Sequence, residues 1–372
     1  MSSFARTDTS LVGRWWWTVD RWTLAALAAI IGIGAVLMLA ASPAVAHRIG
    51  LDNFHFVKRQ LMLMPFAIGT MIAVSLAPPK VIRRIAVIGF LICLVAMPMT
   101  LMYPEIKGAR RWLSLPGMSL QPSEFLKPCF AVVAAWMFAE QRKNNGFPGY
   151  LIATALYALV VLMLMAQPDL GMTVVVSVIW FAEFFLAGLP MMFVALGALM
   201  APLGIVAAYF LFPHVASRID RFLDPASGDS YQVERGLEAF SNGGLWGRGP
   251  GEGTIKSMIP DAHADFIFAV AGEEFGLITC LIIVSLFGFI VTRGFSRLLQ
   301  ETNLFILLAG TGLLVQFGLQ AIINMASSLH LMPTKGMTLP FISYGGSSLL
   351  ALGLGMGMLL GLTRRRFGGP QL

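Results

Sequence analysis

Ten apolar runs, each long enough to cross a lipid bilayer, divide this sequence: residues 23–42, 59–77, 85–103, 123–140, 150–166, 172–188, 190–212, 266–291, 303–328 and 346–363. A helix rises about 1.5 Å per residue, so about 20 residues cover the roughly 30 Å of hydrocarbon. A soluble fold has nowhere to put that many such runs. Only 12% of the 372 residues are charged and 57% are hydrophobic, whereas soluble domains carry about 25% charge. The pattern predicts an all-α polytopic membrane protein. Residues 23–363 form one transmembrane domain between tails at 1–22 and 364–372. The first run is followed by Ala44-Val45-Ala46, which resembles a signal-peptide cleavage site. Its apolar stretch exceeds the roughly 7–15 residues of a signal peptide, so it is read as an uncleaved span.

Ten spans return both termini to one side. If that side is the cytoplasm, its segments hold Arg6, Arg14 and Arg21; Lys80, Arg83 and Arg84; Arg142 and Lys143; Arg293 and Arg297; and Arg364, Arg365 and Arg366. Only the tight Gly188-Leu189-Pro190 turn lacks a basic residue. This distribution is the positive-inside pattern. It also accounts for the net charge of +7 without nucleic acid, since the basic residues form no single stripe with interleaved aromatics. Cys93, Cys129 and Cys280 all fall in apolar runs and are read as small buried hydrophobes, with no disulfide or metal spacing.

The opposite side carries the long connections. Residues 213–264 form the largest, followed by 104–122 and 329–345. The largest contains Phe222, Tyr231, Trp246 and many glycines. It lacks the charge-rich profile of disorder, so it is expected to be ordered against the membrane. No internal repeat is visible, which removes the direct signature of an inverted-repeat transporter.

An ionisable residue in a span costs on the order of 2.5–3.5 kcal/mol on insertion scales and asks for a reason. Glu124 and Lys127 open the fourth span three residues apart. That spacing puts them on one helical face, either as a structural ion pair or as a cation held ready for a phosphate. Arg59 and Gln60 open the second span, and Arg110-Arg111-Trp112 precedes the fourth. These arginines suit interfacial anchors or bidentate phosphate contacts equally. Asp169 follows Gln167-Pro168 in a short turn, where a cap is the plain reading. Asp265 stands where the polar loop meets the eighth span, two residues after His263 and with Lys256 and Arg248 nearby in sequence. A carboxylate there serves as a helix N-cap or as a base that takes a proton from a hydroxyl. On a continuous helix at about 100° per residue, Glu274 points opposite to Asp265 and Glu273 about 80° from it, so neither forms a close dyad with it. Neighbouring helices are expected to satisfy both glutamates. The run Gly243-Gly244-Leu245-Trp246-Gly247-Arg248-Gly249 is a weak phosphate cradle and a stronger candidate for close backbone approach.

Several motifs then agree in order along the chain. They are Lys58-Arg59-Gln60; Gly108-Ala109-Arg110-Arg111-Trp112; Gln121-Pro122-Ser123-Glu124 with Lys127; Gln167-Pro168-Asp169; Gly243-Gly244 through Gly249; Pro260 through Phe268 with Glu273-Glu274; and Pro340-Phe341-Ile342-Ser343-Tyr344-Gly345-Gly346-Ser347-Ser348. On these the chain resembles the SEDS family (shape, elongation, division and sporulation) across essentially all ten spans. Pro333-Thr334-Lys335-Gly336 resembles the division branch more than the elongation branch. One departure is Met172 before Thr173, where the family commonly has Gly-Thr.

The resemblance implies a peptidoglycan glycosyltransferase in the bacterial inner membrane at the division septum, with its site facing the periplasm. Its substrates would be lipid II and a glycan strand on undecaprenyl pyrophosphate. Asp265 matches the family's essential acid and would be the general base. Arg59, Arg110, Arg111, Glu124, Lys127, Lys335 and Ser343 would form the substrate and pyrophosphate contacts, with Gln60, Asp169, His263, Glu273 and Glu274 in support. A divalent cation, Mg or Mn, is compatible with a pyrophosphate, although no ligand cluster in the sequence demands one. A class B penicillin-binding protein would be the partner, with other divisome membrane proteins around it. Two alternatives stand beside this reading: a lipid II flippase, and an elongation-type polymerase of the same family.

Overall fold

The computed structural model describes residues 10–105, 109–115, 118–144, 146–223, 231–333 and 336–365. In chain order the helices are α1 (Leu11–Thr18), α2 (Arg21–Arg48), α3 (His55–Ser75), α4 (Pro79–Thr100), α5 (Pro122–Lys143), α6 (Gly149–Ala166), α7 (Leu170–Leu186), α8 (Met191–Leu211), α9 (Pro213–Leu223), α10 (Tyr231–Gly243), α11 (Ile267–Leu298), α12 (Leu304–Ser328) and α13 (Gly346–Leu362). Ten of these fall on the ten apolar runs. Among the described residues seven are long and apolar enough to cross a membrane by length and composition. Of the remaining three, α7 and α13 are apolar but have 17 residues each, and α5 carries the Glu124 and Lys127 charges.

Local chemistry sets the helix ends. Asp20 caps α2 by accepting from Trp22 N, Asp169 caps α7 by accepting from Met172 N, and Asn303 caps α12 by accepting from Phe305 N and Ile306 N. Such caps satisfy N–H groups that have no partner within the helix. Proline stands in the first turn of α4 and of α5, where its missing N–H costs nothing.

Two central posts organise the bundle. α12 packs against α5, α7, α11 and α13, and α5 packs against α4, α6, α7, α12 and α13. α13 lies directly on α3, and a glycine stripe makes that approach possible. A Cβ at Gly353 would stand 2.5 Å from Ala67 O, and one at Gly357 would stand 2.7 Å from Met71 O. In hydrocarbon, where water drives no helix association, small residues at i, i+4 supply the van der Waals contact instead.

Three features differ from the sequence expectation. The segment expected as an N-terminal tail contains α1, whose Trp15 is buried and donates from Nε1 to Ser75 Oγ at 2.8 Å. A two-stranded antiparallel hairpin, β1 (Leu113–Leu115) with β2 (Met118–Leu120), interrupts an otherwise helical chain. α11 is not continuous, because Gly276 at φ 77°, ψ −179° breaks it into two segments. The described residues of the long connection form α9, α10 and a short 3-10 turn at Ile255–Ser257. Thr18 and Arg365 lie at the same end of the bundle, where Arg365 N donates to Thr18 O at 3.0 Å.

Candidate active site

The segment after Gly336 leaves α12's end and passes back into the bundle without regular structure. Met337, Leu339, Phe341, Ile342 and Ser343 are all buried. Irregular backbone at membrane depth must have its polar groups satisfied by protein. Polar side chains from two helices, α12 and α3, do this. Asn324 Nδ2 donates to Met337 O at 2.6 Å, Gln320 Nε2 donates to Thr338 O at 3.1 Å, and Gln60 Nε2 donates to Ser343 O at 3.2 Å. Within the segment, Ser343 Oγ accepts from Leu339 N at 2.8 Å. Ser343 and Gln60 therefore shape this floor through hydrogen bonds inside the protein.

Asp265 sits on this floor. It precedes α11, whose N-cap is Phe266, so the N-cap reading of Asp265 is set aside. Its own N–H donates to Asp261 O at 3.0 Å, in a tight turn before the helix. Its carbonyl accepts from Asn324 Nδ2 at 3.0 Å and from Ser328 Oγ at 3.5 Å, both on α12. The carboxylate lies over Gly336, where a Cβ would come within 3.4 Å of Oδ2. Gly336 takes φ 61°, a conformation that glycine adopts without strain. Asp265 is half-buried.

Beside it an aromatic cluster holds His263. The imidazole lies 4.1 Å from the Phe56 ring and 5.3 Å from Tyr344, centroid to centroid, and Tyr344 N donates to His263 O at 2.9 Å. Burial pushes the Tyr344 phenol up, while the hydrogen-bonded Arg59 guanidinium pulls it back. Arg59 and His263 thus belong to one cluster, joined through Tyr344, with Asp265 two residues beyond His263 in the chain.

A second group lies across α5. Lys127 Nζ pairs with Glu124 Oε2 at 2.9 Å and donates to Gln320 Oε1 at 3.0 Å. Lys127 is 1% exposed, so the expected pair forms in a dry setting. Gln320 also donates to Thr338 and Ser348, which ties the ammonium to the floor beneath Asp265. Arg111 is held by the Gln167–Asp169 turn: Nη2 donates to Pro168 O at 2.6 Å and Nε lies 3.4 Å from Asp169 Oδ2. Burial pushes the Asp169 carboxyl up against the opposing pull of Arg111 and Met172 N. Arg110 turns away and donates to Leu101 O at 3.3 Å. Lys335 lies outside the described residues. Thr173 Oγ1 donates to Asp169 O at 2.8 Å within its own helix.

Glu273, Glu274 and the glycine-rich run form a separate structure. At the Gly276 break the run joins the two segments of α11. Arg248 N donates to Glu273 O at 2.9 Å and Gly249 N to Glu274 O at 3.0 Å, while Leu277 N donates to Gly244 O at 2.9 Å. Gly247 lies against the Glu274 and Phe275 backbone, where a Cβ has no room. The close-approach reading of the glycines holds, and the phosphate-cradle reading is set aside because these N–H groups close the helix break. Glu273 is satisfied by Asn242 of the neighbouring helix α10, as expected, and by loop N–H groups, whereas Glu274 is held through Oε1 by Lys256 and its Oε2 has no hydrogen-bond partner among the described residues. Lys256 pairs with Glu274, and Arg248 binds Asn242. Neither cation is directed to Asp265.

Gln320, Asn324 and Ser328 were not singled out in the sequence. Their spacing of four residues along an apolar span, continued inward by Gln316, was a legible signal of a polar stripe. Glu183, buried in α7, was also overlooked; both of its oxygens lack a hydrogen-bond partner among the described residues.

Comparison with known proteins agrees along nearly the whole chain. A family model described as "Cell cycle protein", for FtsW, RodA and SpoVE, matches residues 21–367. A probable peptidoglycan glycosyltransferase FtsW of Caulobacter vibrioides is 47% identical over 98% of this chain and 94% of its own. One from Geobacter sulfurreducens is 34% identical over 95% and 98%. Among solved structures, a chain of a peptidoglycan synthase complex that coordinates polymerization and crosslinking superposes with TM-score 0.77 at 27% identity, over 93% of this chain and 97% of its own. The Thermus thermophilus rod shape determining protein RodA superposes with TM-score 0.69 at 26% identity, over 94% and 97%.

Proposed function

From a chain that belongs to the cell cycle protein family of FtsW, RodA and SpoVE, we propose a peptidoglycan glycosyltransferase that polymerises lipid II during septal wall synthesis, with Asp265 as general base. The acceptor's sugar 4-hydroxyl is a poor nucleophile, so a positioned base is needed to take its proton. As the new bond forms between that oxygen and C1 of the donor sugar, the bond from C1 to the undecaprenyl pyrophosphate breaks. The electron pair leaves with the pyrophosphate and the proton goes to Asp265. A single displacement inverts an α-linked donor to a β-linked product and needs no second carboxylate, unlike glycosidases.

Charge developing on the pyrophosphate calls for preorganised cations. Arg59 and Lys127, which reach the floor through Tyr344 and Gln320, are the first candidates, followed by Arg111 and Lys335. Among the described residues no group of three or more His, Cys, Asp or Glu converges to hold a metal. A divalent cation, if it took part, would be held chiefly by the substrate's own phosphates, the usual manner of Mg, and would supply charge neutralisation there. The site is taken to face the periplasm of the inner membrane. A class B penicillin-binding protein is taken as the partner, in line with the synthase complex the fold resembles.

One observation carries this reading: Asp265, a half-buried residue, is anchored by its backbone from α12 with its carboxylate over Gly336. The test is polymer formation from fluorescent lipid II by the protein with its transpeptidase. Native protein should yield glycan on a gel, and Asp265→Ala should yield none while still folded and partner-bound. Polymer from Asp265→Ala would remove Asp265 from the role. The transport reading retains one observation in its favour, the polar residues Gln316, Thr311 and Glu183 buried deeper in the bundle. Lipid II translocation in liposomes, with no polymer from a folded complex, would favour it.

A further inference from the structure

The first segment of α11, from Ile267 to the break at Gly276, is a short piece of helix with Asp265 just before one end and Glu273-Glu274 at the other. Its backbone does not continue as helix into the membrane span. Two sets of contacts mount it instead. At the Asp265 end these are Asn324 and Ser328 of α12. At the other end they are the side chains of Glu273, Lys256 and Glu274.

The second set centres on Glu273. Glu273 Oε1 accepts from Asn242 Nδ2 at 3.0 Å, Thr254 N at 2.8 Å and Ile255 N at 2.7 Å, and Oε2 accepts from Lys256 N at 2.8 Å. Lys256 Nζ pairs with Glu274 Oε1 and donates to Gly251 O at 3.2 Å. Gly253 fits beneath both glutamates, where a Cβ would stand 2.9 Å from Glu273 Oε2 and 3.1 Å from Glu274 Cγ. All three charged residues are buried. Three consecutive N–H groups on one carboxylate form a nest that only an anion fills well. The chain from Thr254 to Asp265 is therefore closed on α11 at both ends, and the loop that presents Asp265 starts on its own helix.

We propose that Glu273, with the Lys256–Glu274 pair, is a positioning device that fixes where Asp265 stands, and that it binds no substrate. This rests on the reading of Asp265 as general base. A misplacement of about 1 Å at a reacting group costs up to about 100-fold in rate. The prediction is a loss in kcat with little change in KM for lipid II.

The experiment measures kcat, KM, pH profile and melting temperature for lipid II polymerisation by the complex with its transpeptidase. Glu273→Gln keeps the shape, but its amide N–H would face a backbone N–H. It should lower kcat by about tenfold or more, leave KM within about twofold and keep the shape of the pH profile. Lys256→Met should behave alike, and Lys256→Arg should restore most of the rate by keeping the charge. A raised KM at unchanged kcat would overturn the proposal by making these residues substrate contacts. Native rates in both Glu273→Gln and Lys256→Met would overturn it as well, and so would a rate loss that tracks the loss of folded protein. Asp265→Asn run alongside separates the two claims: if it stays active, the base assignment fails, whatever the clamp does.

Discussion

The two ends of α11 hold carboxylates against cations in opposite ways. At the end near the chain termini, Asp20 is 3% exposed and accepts from Arg293 Nε at 2.6 Å, Arg293 Nη2 at 2.9 Å, Thr23 Oγ1 at 2.9 Å and Trp22 N at 3.3 Å. Arg297 Nε adds a contact at 3.1 Å. Burial alone would push this carboxyl up, but Arg293, Thr23 and Arg297 outweigh it and hold it below its ordinary value. At the other end Asp265 is tethered from α12 through its backbone carbonyl and keeps part of its surface open. A carboxylate with five donors on it fastens helices. One whose main chain is held from α12 and whose half-buried side chain lies over Gly336 is, on the proposed function, placed to take up a proton.

Four substitutions would break or sharpen this contrast. The largest effect should come from Asp265→Ala, with polymerisation falling by about 1,000-fold, within the range lost with a general base, and a melting temperature close to native. Next is Gly276→Ala. Its φ of 77° is open only to glycine, and an added Cβ would meet the Leu245 and Gly247 backbone. A cost of about 3 kcal/mol is expected, read as a lower melting temperature together with lost activity, because the splice and the Asp265 mount fail together.

At the opposite end Asp20→Asn should do the reverse, lowering stability by about 1–2 kcal/mol while the rate per folded molecule is kept. The figure is modest because Arg293 and Arg297 are partly solvated and lose only part of their compensation. Because the folded carboxyl lies below its ordinary 3.8, its contribution is present above that value and is lost only as pH falls further. The melting difference between Asp20→Asn and native should therefore stay constant from about pH 5 to 8. The smallest effect is Trp15→Phe, which removes the donor to Ser75 Oγ at about 1 kcal/mol, with polymerisation unchanged.

Much of the fold was legible because hydrocarbon thickness fixes how long an apolar run must be. Each of the ten runs lies on a helix, although α2 runs on to Arg48, α4 starts at Pro79 and α11 reaches Leu298, each well beyond its run. α1 was not legible by that rule: with eight residues it is too short to register as a span, and its three tryptophans sit among basic residues like an anchor. The α11 break was missed for a different reason. Placing Asp265 and Glu274 on one helical wheel assumed helix already at Asp265, which instead lies in the turn before α11, and nothing in the wheel showed that Gly276, beyond both, interrupts the helix where a loop some 30 residues earlier in sequence repairs it. Such non-local repair leaves no periodic trace, although the glycines needed for it were visible. At the site, the Glu124–Lys127 pair followed from i,i+3 spacing, while the commitment of Lys256 to Glu274 followed from tertiary packing alone. The α12 stripe of Gln320, Asn324 and Ser328 was readable from spacing but was outweighed by the apolar character of the span around it.

The most direct test of the central claim separates rate from binding in one sample. Lipid II binding and the single-turnover rate of polymerisation would be measured on native protein and Asp265→Asn, each in complex with the transpeptidase. A base at Asp265 predicts a rate loss of about 1,000-fold with binding of lipid II unchanged. A rate loss matched by an equal loss of binding would contradict it and make Asp265 a substrate contact, while an undiminished rate would place the base elsewhere.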